Sequence, residues 1–197
     1  MSELTLAFVQ AALKAPVSAQ AEVATRIITD SRQAEAGDVF VALVGEQFDG
    51  HDYVADVLAK GVAAVIVSRE VVVGDARQIV VADTLAALGQ IAQAWRLKWN
   101  PKIVALTGSN GKTTVKEMCA AILREAVGED AVLATAGNFN NEIGMPLTLL
   151  RLQAVHKVAV LEMGMNHFGE LARLTQIAQP DVALVNNASR AHIGNDF

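Results

Sequence analysis

Apolar residues fall along this chain in two rhythms. Up to about residue 100, short apolar runs alternate with segments of helical spacing. The runs predict strands over 26–29, 39–43, 63–67 and 78–81, and residues 4–14 predict a helix stopped by Pro16. Val54, Val57 and Leu58 recur at helical spacing ahead of Gly61, a helix stop. Asp83 can cap a further helix whose apolar face runs Leu85, Leu88, Ala92, Trp95 and Trp99. Asn100-Pro101 breaks that helix, because proline disfavours helical geometry in the residue before it. The expected domain boundary lies there, giving units 1–100 and 101–197.

From Lys102 the rhythm changes to near-continuous apolar runs at 103–106, 132–135, 158–161 and 182–185. Unbroken runs suit parallel strands covered on both faces. Helical patterns separate them at 113–126, near 145–150 and at 169–179. This is the strand-helix-strand grammar of a doubly wound α/β sheet, in which ligands bind at the carboxyl ends of the strands. On the first of these helices Val115, Met118, Cys119, Ile122 and Ala126 share a face, the expected core face. Cys119 is then a packing residue rather than a nucleophile.

Composition removes several alternatives. A hydrophobic content of 52% supports a substantial core, and a net charge of −5 offers no basic field for nucleic acid or anionic lipid. Cys119 is the single cysteine, so no internal disulfide forms. The start lacks the basic region of a secretory signal, and no apolar run approaches the roughly 18 residues of a membrane span. The expectation is a soluble cytoplasmic protein with neither nucleic acid nor membrane as partner.

The chemistry concentrates at Thr107-Gly108-Ser109-Asn110-Gly111-Lys112-Thr113-Thr114, between a strand and a helix. Glycines let backbone N–H groups approach phosphate oxygens, and a helix N-terminus adds a favourable dipole. Lys112 can reach the β/γ-phosphates and the Thr113 hydroxyl can ligate Mg²⁺. The spacing is not the general G-x-x-x-x-G-K-[ST] pattern, whose first glycine would fall at Leu106. Here Gly108 stands three residues before Gly111, so the loop is a shorter form. The chain is therefore read as a nucleoside triphosphate binder.

Other loops carry open alternatives. Glu162 ends an apolar strand, where its carboxylate either holds Mg²⁺ beside the phosphate loop or caps the loop or pairs with a nearby cation. His192, after the last strand, either meets a metal or phosphate or is simply solvated, and His167 shares that ambiguity. Asn138, Asn140 and Asn141 are either turn residues or a polar clamp on substrate hydroxyls and amides. Asp30-Ser31-Arg32, after a strand, and Gly45-Glu46-Gln47-Phe48-Asp49-Gly50-His51, before a helix, either hold a diphosphate or nucleobase or are ordinary loops.

Together these segments resemble the Mur ligases, the ATP-dependent amide-forming enzymes of peptidoglycan precursor synthesis. The short Thr-Gly-x-x-Gly-Lys-Thr-Thr loop at 107–114 is their phosphate loop. Gly-Asn-Phe-Asn-Asn-Glu-Ile-Gly (137–144), Glu-Met-Gly-Met-Asn-His (162–167) and Asn-Asn-Ala-Ser-Arg-Ala-His (186–192) resemble the branch that adds D-alanyl-D-alanine to UDP-N-acetylmuramoyl-tripeptide. The segments at 30–32, 37–43 and 48–51 resemble the family's UDP-substrate domain. The resemblance implies a small N-terminal α/β UDP-substrate domain followed by a partial P-loop-type parallel-sheet ATPase domain. It implies ATP with Mg²⁺, phosphoryl transfer to the tripeptide carboxylate, attack of the dipeptide amine on the acyl phosphate, and a monomeric parent. Gly108, Ser109, Asn110, Gly111, Lys112, Thr113 and Thr114 would bind ATP, and Thr113, Glu162 and His192 would hold metal. Lys112, Glu162 and His192 would be catalytic. Ser31, Arg32, Asp49, His51, Asn138, Asn140 and Asn141 would meet substrate.

One departure stands out: Mur ligases are longer, and residues 193–197 do not follow the Glu-Gly-Phe-Gly usual after the His192 motif. The expectation is a fragment with little or no ligase activity alone, whose exposed sheet edge promotes association. The rival readings are another Mur-type amino-acid ligase, a non-catalytic nucleotide- or UDP-sugar-binding module, and a P-loop NTPase.

Overall fold

The computed structural model describes residues 4–16 and 25–189. The chain forms two compact units, Met1–Ile91 and Ala92–Phe197. The division falls inside a helix rather than at Asn100-Pro101. The reason is that the helix's last turns are bound into the second unit: Trp95 Nε1 donates to the Leu152 carbonyl at 3.0 Å and Arg96 Nε to the Ala178 carbonyl at 2.9 Å. No helix among the described residues is long and apolar enough to cross a membrane.

The first unit carries α1 (Leu6–Ala12), β1 (Ile27–Ile28), β2 (Val39–Val41), α2 (Val54–Ala59), β3 (Ala64–Val67), β4 (Gln78–Val80) and the start of α3 (Thr84–Trp99). Its strands lie in chain order β1-β2-β3-β4, all parallel. Every residue of β2 and β3 is buried, as a sheet covered on both faces requires. On one face Phe40, Val65 and Val67 pack with Val54, Val57 and Leu58 of α2. Asp83 caps α3, its Oδ1 accepting the N–H groups of Leu85 and Ala86 at 2.8 and 3.0 Å.

The second unit carries β5 (Lys102–Thr107), α4 (Lys112–Val127), β6 (Val132–Ala134), α5 (Gly144–Leu149), β7 (Val158–Glu162), α6 (Glu170–Ala178) and β8 (Val182–Val185). Its sheet runs β6-β7-β5-β8, again all parallel. After β5 the chain crosses to β6, returns to β7, and places β8 on the other side of β5. The sequence thus placed the strands of both sheets, and α/β architecture with parallel sheets is what the structure shows. All four residues of β8 are exposed.

The predicted core face of α4 is wrong. Met118 and Ile122 are 60% and 67% exposed, whereas Lys116 and Ala120 are buried, with Leu123 and Val127 partly buried on the same side. Two stripes of helical period run along α4 one residue out of phase. Tight packing onto Leu106, Val132 and Val160 selects the stripe with the small Ala120, and Lys116 enters it because its ammonium finds a carbonyl at depth. Cys119 lies at the border, partly buried against that cluster.

Candidate active site

The carboxyl end of β5 opens into the phosphate loop. Gly108 has φ +150° and Gly111 has φ +74°, conformations that L side chains rarely adopt. Space is tight as well: a Cβ on Gly108 would lie 3.1 Å from both Asn186 Cβ and the Asn187 nitrogen, and one on Gly111 3.1 Å from Asn186 Nδ2. The residues after β8 are therefore laced to this loop. Ser109 N–H donates to the Asn187 carbonyl at 3.3 Å, and Asn110 N–H to Asn187 Oδ1 at 3.0 Å. Ser109 Oγ donates to the Ser189 carbonyl at 2.8 Å and accepts its N–H at 3.0 Å. Asn186 and Asn187 amides both donate to the Asn110 carbonyl, at 2.8 and 2.9 Å.

This lacing divides the predicted ATP residues. The amides of Ser109 and Asn110 are engaged within the protein, so these two shape the loop. The N–H groups of Gly111, Lys112, Thr113 and Thr114 have no acceptor among the described residues, as expected in the first turn of a helix. They form a concentrated donor set with the positive end of a 16-residue helix behind it. Lys112 folds back over the loop, Nζ donating to the Gly108 carbonyl at 2.7 Å. Thr113 is exposed beside it.

Glu162 stands next door. It ends β7 and pairs in register with Leu106, the penultimate residue of β5. Its side chain is buried, with 2% of the residue exposed. Oε1 accepts from Asn140 Nδ2 at 2.7 Å, and the backbone N–H donates to Thr135 Oγ1 at 3.0 Å. Oε2 is buried with no partner. A buried carboxylate oxygen left without a donor is costly, and a hard cation is one group that would satisfy it. The donors fit Mg²⁺, which binds through few protein oxygens. Among the described residues no group of three or more His, Cys, Asp or Glu gathers into a metal cage. His192 lies outside the described residues. His167 is exposed, and its N–H donates to Glu170 Oε2 at 3.1 Å.

The asparagine loop splits by role. Asn140 holds Glu162. Asn141 Oδ1 caps α5, accepting the N–H groups of Ile143 and Gly144 at 3.2 and 2.8 Å. Asn138 is exposed, its carbonyl accepting the Asn140 N–H at 2.8 Å. Thr135, Lys116, Asn186 and Asn187 escaped sequence reasoning as individual site residues. The signals were present: Lys116 lies one turn beyond Lys112, and Thr135 ends a strand that opens into the asparagine loop.

The predicted substrate residues of the first unit have separate surroundings. Arg32 is exposed and grips Asp30 with two parallel bonds, Nε to Oδ1 at 2.9 Å and Nη2 to Oδ2 at 2.8 Å. Those side-chain bonds, with the Arg32 backbone N–H, hold the Asp30 carboxyl well below the usual range. Ser31 accepts Lys60 Nζ on its carbonyl at 2.9 Å. His51 is buried, and both ring nitrogens are taken. Ser68 N–H donates to Nε2 at 2.9 Å, so Nε2 carries no proton, and Nδ1–H donates to Asp49 Oδ1 at 2.6 Å. The His51 backbone N–H and ring, with Arg69, push the Asp49 carboxyl down to about 2. As placed, His51 braces the turn and leaves no ring nitrogen for a ligand.

Comparisons with known proteins place the chain by domain and by fold. Residues 24–96 match the Mur ligase family catalytic domain, and residues 106–196 match the Mur ligase middle domain. The UDP-N-acetylmuramoyl-tripeptide--D-alanyl-D-alanine ligase of Haemophilus influenzae is 48% identical over 169 residues, 85% of this chain and 37% of that protein. A MurF from Acinetobacter baumannii superposes with a TM-score of 0.88 at 42% identity, covering 99% of this chain and 43% of that one. MurF ligase from Thermotoga maritima, solved in complex with ADP, superposes with a TM-score of 0.76 at 36% identity, covering 83% of this chain and 37% of that one. The chain thus spans well under half the length of the relatives it matches. With both domain models on consecutive segments and this level of identity, the chain belongs to the Mur ligase family.

Proposed function

We propose that this chain supplies the UDP-substrate and phosphate-binding parts of an ATP-dependent ligase that joins D-alanyl-D-alanine to UDP-N-acetylmuramoyl-tripeptide in the cytoplasm. The observation that carries the reading is the pairing of free N–H groups at the start of α4 with Glu162, whose Oε2 is buried and unpartnered one strand away. The ADP complex of the Thermotoga maritima relative and the naming of the Haemophilus influenzae relative support it.

In this reading the N–H groups of Gly111 to Thr114 and the Lys112 ammonium bind the β- and γ-phosphates. Lys112 leaves the Gly108 carbonyl to do so, and neutralises charge on the transferred phosphoryl group. The tripeptide carboxylate attacks that group, the bond between it and the β-phosphate breaks with its electrons leaving on ADP, and an acyl phosphate forms. The amine of D-alanyl-D-alanine then attacks the acyl carbon, and phosphate departs with the electrons of the broken C–O bond. Thr113, Glu162 and His192 would hold Mg²⁺, which supplies charge neutralisation and alignment of the phosphate oxygens when bound. Asn140 keeps the Glu162 carboxylate aimed. In the first unit the exposed Arg32 and the half-buried Ser31 would meet the UDP moiety, and His51 braces the separate turn at Asp49.

Calorimetry of the chain with Mg²⁺ and ADP tests the phosphate site. Lys112→Ala should weaken binding by about 10- to 100-fold, the range for loss of a charge-assisted contact. Affinity within about twofold of wild type would refute the role given to Lys112.

A further inference from the structure

Lys116 is an ionisable residue that the proposed chemistry does not use, and it lies 1% exposed on α4. It stands one helical turn beyond Lys112, and so on the same side of the helix. Its Nζ donates to the Thr135 carbonyl at 2.7 Å and lies 2.5 Å from Glu117 Oε1, whose side chain is 58% exposed. Burying an ammonium costs far more than burying a neutral donor, and a neutral donor would hold a lone carbonyl as well. Its position gives the charge a purpose. Thr135 is the residue where β6 gives way to the asparagine loop. Its Oγ1 accepts the Glu162 backbone N–H at 3.0 Å, and its own N–H is tied to the Val160 carbonyl at 3.0 Å. Five residues on, Asn140 grips the Glu162 carboxylate. The chain of contacts therefore runs from α4 through Thr135 to the backbone of Glu162, and through the loop to its side chain.

We infer that Lys116 is a positioning residue: it locks the start of α4 to the exits of β6 and β7 and so fixes Lys112 and Thr113 relative to Glu162. This rests on the proposed phosphate-and-metal site. Lys116 touches neither nucleotide nor cation; it sets the spacing between the groups that do.

The test uses the whole chain, ADP and Mn²⁺, with the ratio of ADP affinity in Mn²⁺ to that in EDTA as readout. Lys116→Met keeps the length and apolar packing of the stem. It should lower the ratio by about tenfold, the low end for loss of a group that orients a metal ligand, while affinity in EDTA stays within about twofold. Lys116→Arg should restore the ratio. Thr135→Val, which cuts the same path at its second link, should lower it likewise and serves if Lys116→Met does not fold. A wild-type ratio in Lys116→Met, or in Thr135→Val where that variant stands in, overturns the inference and leaves the phosphate site intact. Absence of ADP binding in the wild-type chain instead overturns the functional reading itself, and this inference with it.

Discussion

Replacing Asn140 by aspartate puts the paired environment of Glu162 to a quantitative test. The variant is isosteric, and it exchanges an amide donor 2.7 Å from Glu162 Oε1 for a carboxylate. Two charges 2.7 Å apart repel by roughly 6 kcal/mol at an effective dielectric of about 20. The fold has a cheaper response, because the pair can take up one proton and restore the short hydrogen bond as acid to carboxylate. Protonating an aspartate of ordinary pKa near 3.9 costs about 4 kcal/mol at pH 7, about 1.5 kcal/mol at pH 5 and almost nothing at pH 4. The smaller figure governs, so Asn140→Asp should be destabilised by about 4 kcal/mol at pH 7 and recover on acidification. The sign follows from proton counting: between those pH values the folded variant binds more protons than the unfolded chain, so its stability falls as pH rises. Urea unfolding followed by tryptophan fluorescence reads the correct unit, since both tryptophans, Trp95 and Trp99, belong to the second. A loss below about 1 kcal/mol at pH 7, or one unchanged between pH 5 and pH 7, would mean that Glu162 is solvated rather than held in a closed pair.

Two further perturbations test other parts of the structure. The Asp49 carboxyl sits at about 2 in the fold, so its contribution of about 2 kcal/mol is complete above its unfolded value near 3.9 and disappears as pH falls through about 2. Asp49→Asn should remove that contribution at pH 7 and flatten the acid limb of stability followed by circular dichroism; an unchanged limb would show that the brace to His51 is not formed. On α4, Ala120→Leu should cost about 1–3 kcal/mol by overpacking while Met118→Gln stays within about 0.5 kcal/mol in urea melts. The reverse order would reinstate the face that hydropathy spacing selected.

That face shows where sequence reading stops. Strands were legible because parallel strands covered on both faces are runs of apolar residues with no phase to misjudge, as in Val39–Val41 and Val158–Glu162. The positions of Glu162 and of the loop at 107–114 were legible because each follows an apolar run and so stands at a strand exit. Helix α4 is different: two apolar stripes share one period, and the buried one contains a lysine that hydropathy counts as polar. The Thr135 carbonyl and the adjacent Glu117 carboxylate give that lysine its partners, and Thr135 is distant in sequence. The asparagines were ambiguous for the same reason. Asn140 and Asn141 are neighbours of identical chemistry, yet one orients a carboxylate and the other caps a helix, according to which partner the fold presents.

The short form of the phosphate loop acquires its meaning from the residues after β8. A longer loop encloses phosphate with its own amides. Here Ser109 and Asn110 spend theirs on Asn187, and the Asn110 carbonyl is held by two side-chain amides. The N–H groups left without an acceptor are thereby those of the first turn of α4, where they share the helix dipole. Positive φ favours glycine at 108 and 111, and a Cβ would stand 3.1 Å from Asn186 Cβ and the Asn187 nitrogen at the first and 3.1 Å from Asn186 Nδ2 at the second. A Cβ at Gly108 would crowd the Asn187 backbone that holds Ser109. The loop is thus built from two segments, the exit of β8 supplying the acceptors and donors that hold Ser109 and Asn110.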